Sequence, residues 1–243
     1  MSFNAPFTKD NLDLYLSELA KEFRKLNGKT MPAEIILIGG ASILANYGFR
    51  EMTYDMDAII SASSVMKEAI NHVGDKFNLP GGWLNTDFVK TKSYTPKLIE
   101  HSEYYKKFSG ILTVRTVASE YLVAMKLMSG RKYKNDLSDV VGILREHNMR
   151  NQPLTYWQID KAVADLYDGW KDVPEDSKVF FDFIIKNGNY EELYERYRME
   201  ELSNRDALLE FEIKYPHVTN EDNITDILAK ANQRKARNDR DDR

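Results

Sequence analysis

Two aspartates, Asp55 and Asp57, stand two positions apart in the segment from Tyr54 to Ile60. Side chains alternate between the two faces of a strand, so a strand over this segment places both carboxylates on one face. Their Cα atoms are then roughly 7 Å apart, close enough for both carboxylates to bind one or two cations. Burying like charges without a counter-charge is costly. The pattern predicts a cation site, and the alternative is an edge strand whose acidic face is solvated.

A glycine pair lies just before this acidic segment. The apolar run from Ile35 to Gly39 predicts a buried strand that ends in a tight turn at Gly39 and Gly40. We expect Ser42 to open a short helix that continues through Ala45. Backbone N–H groups and a hydroxyl at a helix N-terminus bind phosphate, so this turn is a candidate phosphate site.

Lys126 interrupts an apolar run from Tyr121 to Met128, for which Ser119 is the predicted helix cap. A lysine within an apolar helix is seldom buried without a partner, so we expect Lys126 to face a carboxylate or a phosphate. The alternative is that its ammonium group reaches past the apolar stem to solvent.

A basic loop from Arg131 to Lys134 follows, and the next helix begins with Asp136 and Asp139. These two aspartates are three residues apart and are neighbours at the margin of the apolar helix face. The helix dipole favours a carboxylate in the first turn, which accounts for Asp136 but not for Asp139. Asp87, after a turn-rich stretch, is either a third active-site carboxylate or an ordinary turn aspartate.

Two segments carry a family resemblance. Gly39-Gly40-x-Ser42, followed by Arg50-x-x-Thr53-x-Asp55-x-Asp57, resembles the nucleotidyltransferase superfamily, which has the fold of DNA polymerase β and of the CCA-adding enzymes. The segment from Leu122 to Leu144 is similar to the Lys…Arg…Asp-x-x-Asp segment of the AbiEii and MenT toxin group. The segments occur in the same order and cover roughly the first 150 residues.

The resemblance implies roles for these residues. Asp55 and Asp57 would hold Mg²⁺ or Mn²⁺, and the glycine turn would bind the β- and γ-phosphates of a nucleoside triphosphate (NTP). Asp136 or Asp139 would act as a base or would order the basic side chains. The catalytic candidates are Asp55, Asp57, Lys126, Asp136 and Asp139, and the nucleotide-binding candidates are Gly39, Gly40, Ser42, Arg50, Thr53 and Arg131.

The implied activity is Mg²⁺-dependent transfer of a nucleotide from an NTP to an acceptor, with RNA such as the tRNA 3′ end as the expected acceptor. The resemblance further implies a toxin of a toxin–antitoxin or phage-defence pair, with a cognate antitoxin protein as a possible partner. The alternative is a catalytically idle module of this fold that binds a nucleotide or a protein.

Composition sets outer limits on the function. The chain has a formal net charge of −4 and a pI near 5.7, so RNA binding requires a local basic patch. The absence of cysteine excludes disulfides and thiolate metal sites and leaves Mg²⁺ or Mn²⁺ with oxygen ligands. No apolar run approaches the length of a membrane span, and we expect a soluble cytoplasmic protein without a membrane partner.

The 243 residues predict an α+β protein, a mixed sheet flanked by helices and followed by helices alone. We expect a nucleotidyltransferase-like domain over residues 1–150, a helical subdomain over 151–228 and a flexible charged tail over 229–243. In the helical part, the predicted role of the tyrosines is packing rather than base stacking. The predicted helices and strand of the first part are helices within Asn4–Gly28 and Ser64–Phe77 and a strand in Gly110–Val117, and the tyrosines are Tyr190, Tyr194 and Tyr197.

Overall fold

The computed structural model describes residues 6–220 and 223–241, with side chains as far as residue 233. Seven strands occur within this part of the chain, and five of them form a mixed sheet in the order β5-β4-β2-β7-β6. β2 pairs antiparallel with β4 and parallel with β7, while β1 and β3 form a separate two-stranded pair. The strands are β1 (Phe7–Thr8), β2 (Ala33–Leu37), β3 (Met52–Thr53), β4 (Met56–Ser61), β5 (Leu84–Asn85), β6 (Ser102–Phe108) and β7 (Leu112–Val117).

The helices cover both faces of this sheet. The end of β2 is apolar on both faces, because Ile35 and Leu37 enter one core while Ile36 enters the other. The first core includes α1 and α3, and the second includes α4, α5, α6, α7 and α8. The helices are α1 (Lys9–Asn27), α2 (Gly39–Asn46), α3 (Met66–Phe77), α4 (Ser119–Ser129), α5 (Asp136–Met149), α6 (Tyr156–Tyr167), α7 (Glu175–Asn187), α8 (Tyr190–Lys214) and α9 (Ile224–Asp241).

The predicted α+β class is therefore confirmed. Local sequence signals explain why α1 forms where it does. Thr8 and Asn11 form a capping box at the start of α1, with the Thr8 N–H donating to Asn11 Oδ1 at 2.9 Å. The periodic apolar residues of α1 are fully buried against the sheet, as their spacing predicts. These buried residues are Leu12, Leu16, Leu19 and Phe23.

Among the described residues, the helices after residue 150 form no separate core cluster. Side chains of α6, α7 and α8 pack into the same core as α4 and α5, so the predicted boundary at residue 150 is not a break in packing. Tyr190, Tyr194 and Tyr197 pack against this shared core, and Tyr197 meets Phe180 edge to face. The backbone of α9 is helical through Asp241 where the sequence predicts a flexible tail, and residues 242–243 lie outside the described part.

Two further local differences have a physical reason. β6 was not predicted because it is an edge strand whose side chains between Ser102 and Phe108 are mostly exposed, which removes the alternation of apolar residues. Ser119 is the first residue of α4 rather than its cap, and its hydroxyl is hydrogen-bonded to the Tyr47 hydroxyl at 2.6 Å. None of the helices in the described ranges is both long and apolar enough to cross a bilayer.

Candidate active site

β2 ends at Leu37, and the two glycines of the predicted turn, Gly39 and Gly40, form the start of α2 at the rim of a cleft. Gly39 has φ +52°, in the left-handed region that favours glycine, and it is the first residue of α2. Because the first turn of a helix has no intrahelical acceptors for its N–H groups, those of Gly39 and Gly40 are available to an anion. A Cβ on Gly40 would lie 2.8 Å from both Arg50 Nη2 and Thr53 Oγ1, so Gly40 allows these two side chains to pack over the turn.

Ser42 requires a correction. It lies inside α2 rather than at its start, its side chain is fully buried, and its hydroxyl accepts a hydrogen bond from the Val117 N–H at 3.2 Å. The hydroxyl therefore ties α2 to the end of β7 and does not face the cleft. The predicted phosphate contact through Ser42 is wrong because the helix begins three residues earlier than the sequence predicts.

The two aspartates of the acidic segment reach the same cleft. β4 begins at Met56, so Asp57 lies in the strand and Asp55 immediately before it. Met56 and Ala58 are fully buried on the opposite face, which turns Asp57 toward the cleft. Thr53 Oγ1 donates to Asp55 Oδ1 at 3.1 Å and fixes that carboxylate.

The Asp57 carboxylate has no close cation partner in the described part of the chain. Among the residues described, no lysine, arginine or histidine nitrogen lies within 4.0 Å of its carboxylate oxygens. Burial, and then the charge of Asp55, raise the pKa of the Asp57 carboxyl above its ordinary value. A bound cation would stabilise the ionised form of both groups.

The carboxylates of Asp55 and Asp57 fit the usual way in which proteins hold Mg²⁺. The described part of the chain contains no cluster of three or more histidine or acidic side chains placed to hold a metal. Mg²⁺ is commonly held in phosphoryl-transfer sites by one or two carboxylates, with water and substrate phosphates as the other ligands. Asp55 and Asp57 supply that pair. Asp87 is exposed at the start of a 3₁₀ turn, where its Oδ1 accepts from Lys90 Nζ at 2.6 Å, and it does not line the cleft.

A buried ion network lies behind the cleft. Lys126 Nζ lies 2.7 Å from Asp136 Oδ1 and 2.8 Å from Asp139 Oδ2, and Arg131 Nε lies 2.8 Å from Asp136 Oδ2. Asp136 is fully buried, and although burial acts in the opposite direction, the charges of Lys126 and Arg131 hold the pKa of its carboxyl well below the usual range. Lys126 thus meets carboxylates, the first of the two predicted partners.

Arg50 connects this network to the glycine turn. Its Nη1 donates to Asp139 Oδ2 at 2.6 Å, and its Nε donates to the Met52 carbonyl oxygen at 3.2 Å. Three cations thus surround two carboxylates. Because Asp136 and Asp139 each hold two of these cations, the geometry supports their ordering role over the alternative of a free base.

The cleft has a volume of about 420 Å³ and is bounded by β4, the glycine turn, α4, the basic loop and α8. Of the predicted site residues, Ser42 and Asp139 do not line it. The lining includes Gly39, Gly40, Arg50, Thr53, Tyr54, Asp55, Asp57, Lys126, Arg131, Tyr133, Lys134, Asp136, Arg198, Leu202 and Arg205.

The sequence analysis did not predict the contribution of α8, which lines the cleft and also holds the start of α5. Glu201 of α8 is buried and caps α5, because its Oε1 accepts from the Leu137 N–H at 2.8 Å and its Oε2 accepts from the Ser138 hydroxyl. Burial raises the pKa of the Glu201 carboxyl to about 8. Glutamates are frequent on α8, so no local signal distinguished this one.

The sequence model of a family described as nucleotidyltransferase of unknown function (DUF6036) matches residues 15–171. A solved structure, that of an antigenic nucleotidyltransferase-like protein from Paracoccidioides brasiliensis, is similar at 14% sequence identity and a TM-score of 0.39. That similarity covers 79% of this chain and 95% of the other chain. Among curated proteins, none matches.

Proposed function

Since this chain belongs to the nucleotidyltransferase family of unknown function, we propose that it is a Mg²⁺-dependent enzyme that transfers a nucleotide from an NTP to RNA. The proposed acceptor is an RNA end such as the tRNA 3′ end. One observation carries the proposal: a single cleft brings together the glycine turn, the Asp55 and Asp57 carboxylates and the Lys126 network. These are the parts that phosphoryl transfer requires, namely phosphate donors, carboxylates for a metal and positive charge.

In the proposed reaction, an acceptor hydroxyl oxygen forms a bond to the α-phosphorus of the NTP. The bond from that phosphorus to the oxygen bridging to the β-phosphate breaks, pyrophosphate leaves with the bonding electron pair, and the hydroxyl proton passes to solvent water. Asp55 and Asp57 would hold Mg²⁺, which would supply positive charge to neutralise the charge that develops on the phosphate oxygens. The N–H groups of Gly39 and Gly40 donate to phosphate oxygens, and Arg50 and Thr53 hold this turn in place.

The finer proposal concerns biology. The Lys126, Arg131 and Asp136-x-x-Asp139 segment resembles that of the AbiEii and MenT toxins, and its side chains form one ion network here. We therefore propose a cytoplasmic toxin that blocks translation by modifying tRNA and that is paired with an antitoxin. The basic side chains at the cleft support an RNA substrate despite the acidic total charge.

The deciding experiment incubates the purified protein with each of the four labelled NTPs and total tRNA, with and without Mg²⁺. We expect label to enter RNA with Mg²⁺ only. NTP binding without transfer to RNA or protein would instead indicate the idle module. Expression of the wild-type chain should slow growth, whereas Asp55→Ala should not, and harmless wild-type expression would remove the toxin proposal.

A further inference from the structure

α8 forms a wall of the cleft that lies beyond the family-matched segment, which ends at residue 171. Arg198, Leu202 and Arg205 recur at intervals of four and three residues, so they share one face of α8, and all three line the cleft. This wall joins two guanidinium groups to a cleft that also contains Asp55 and Asp57.

Hydrogen bonds hold the wall against the basic loop. Arg198 donates to the Asn135 side-chain oxygen, and Asn204 Nδ2 donates to the Lys132 carbonyl oxygen at 2.8 Å. Glu201 lies between these contacts and accepts from the first turn of α5. α8 therefore fixes the loop at both ends, and the loop directs Lys134 toward the cleft.

The ion pairs decide which cations of the cleft remain available to a ligand. Arg50, Lys126 and Arg131 are each within 3 Å of a buried carboxylate oxygen, so much of their charge is already compensated. Within the described part of the chain, Lys134 and Arg198 have no carboxylate oxygen within 4.0 Å. Arg205 has Asp206 at 3.8 Å, and a pair so exposed contributes little.

We propose that Arg198 and Arg205 of α8, together with Lys134, bind the β- and γ-phosphates of the nucleoside triphosphate, an inference that rests on the proposed function. A guanidinium fork can donate two parallel hydrogen bonds to a phosphate, and the triphosphate tail carries the densest negative charge of that substrate. The cleft volume of about 420 Å³ suits one small-molecule ligand. α8 is thus part of the proposed substrate site and not an appendage to it.

The test measures binding of α,β-methylene analogues of the four NTPs, and of the matching monophosphates, to the full chain with Mg²⁺ by calorimetry. We expect Arg198→Gln and Arg205→Gln each to raise the Kd for the triphosphate about tenfold, with little change for the monophosphate. Arg196→Gln is the matched control, since Arg196 lies on the same helix over the Phe183 and Tyr197 rings and does not line the cleft. Thermal unfolding verifies that each variant is folded.

Each other result overturns the inference in a distinct way. Equal weakening of triphosphate and monophosphate binding would place the wall against the nucleoside. Unchanged triphosphate binding with reduced RNA labelling would place the wall against the acceptor, while the proposed function would stand. If the wild-type chain binds no NTP with Mg²⁺, the proposed function itself fails and the inference falls with it.

Discussion

The molecule contains two pairs of aspartates close to one cleft, and their surroundings are opposite. Asp55 and Asp57 are at least partly exposed, and no cation pairs with Asp57 in the described residues. Asp136 and Asp139 have exposed side-chain fractions of 0% and 3% and share Lys126, with Arg131 on one and Arg50 on the other. The first pair is open to an added cation, while the second is already neutralised by the fold.

Cation partners, and not burial alone, decide the direction in which the pKa of a buried carboxyl shifts in this protein. Asp136 and Glu201 are both buried at the start of α5, yet their pKa values move in opposite directions. Asp136 has two cations against it, whereas Glu201 accepts hydrogen bonds from neutral donors and lies near the negative charges of Asp139 and Asp136. The same rule explains why Asp57 is a candidate metal ligand.

The largest expected effect is the loss of nucleotide transfer in the Asp57→Asn variant. The amide keeps the shape of the carboxylate but loses its charge, so transfer should fall about a thousandfold. Removing the repulsion between Asp57 and Asp55 should leave the free energy of unfolding unchanged or slightly raised. Initial rates of RNA labelling, together with urea unfolding, measure both quantities. Asp87→Asn is the control, and transfer by Asp57→Asn at the wild-type rate would disprove the metal role.

Asp136→Asn should reduce stability, in contrast to Asp57→Asn, which should reduce transfer without destabilising the fold. It leaves Arg131 without its buried carboxylate and Lys126 with one partner in place of two, so the free energy of unfolding should fall by about 3 kcal/mol. The matched control is Asp176→Asn, which removes an exposed ion pair with Lys132 of the same loop and should cost less than about 1 kcal/mol. Equal midpoints for the two variants in urea unfolding would contradict this assignment.

Glu201→Gln tests the third carboxylate through pH. The folded pKa is about 8 and the unfolded value is about 4.3, so between these pH values the folded state retains a proton that the unfolded state has lost. The contribution of Glu201 is therefore full below pH about 4 and decreases as pH rises, with a slope approaching about 1.4 kcal/mol per pH unit. The variant should lose this slope. Asp136 has the opposite sign, since its contribution is present above pH about 4 and decreases on acidification.

The smallest effect is expected from Gly40→Ala. Its Cβ would displace the Arg50 guanidinium and the Thr53 hydroxyl, so we expect a loss of about 1 kcal/mol of stability and slower transfer. Gly48→Ala is the matched control because a Cβ there meets no atom within 4 Å. Similar thermal unfolding and similar transfer rates for both variants would show that close packing at Gly40 does not matter.

Local pattern predicted much of this protein correctly. The periodicity of apolar residues predicted α1, α3 and β7, because burial of one face is enough to select a helix or a strand. Residue types predicted the glycine turn and an ionic partner for Lys126, since a left-handed φ favours glycine and a buried ammonium needs a counter-charge.

The tertiary structure alone decided which role each of the candidate site residues has. Asp139 meets Arg50, Glu201 caps α5, and Arg198 reaches the cleft, and these contacts join residues 63 to 89 positions apart in the chain. Ser42 does not reach the predicted phosphate site, because α2 begins at Gly39 and the Ser42 hydroxyl is hydrogen-bonded to β7. Sequence specifies which side chains can ionise or donate, but their energies depend on which charges and donors the packed helices bring within about 4 Å.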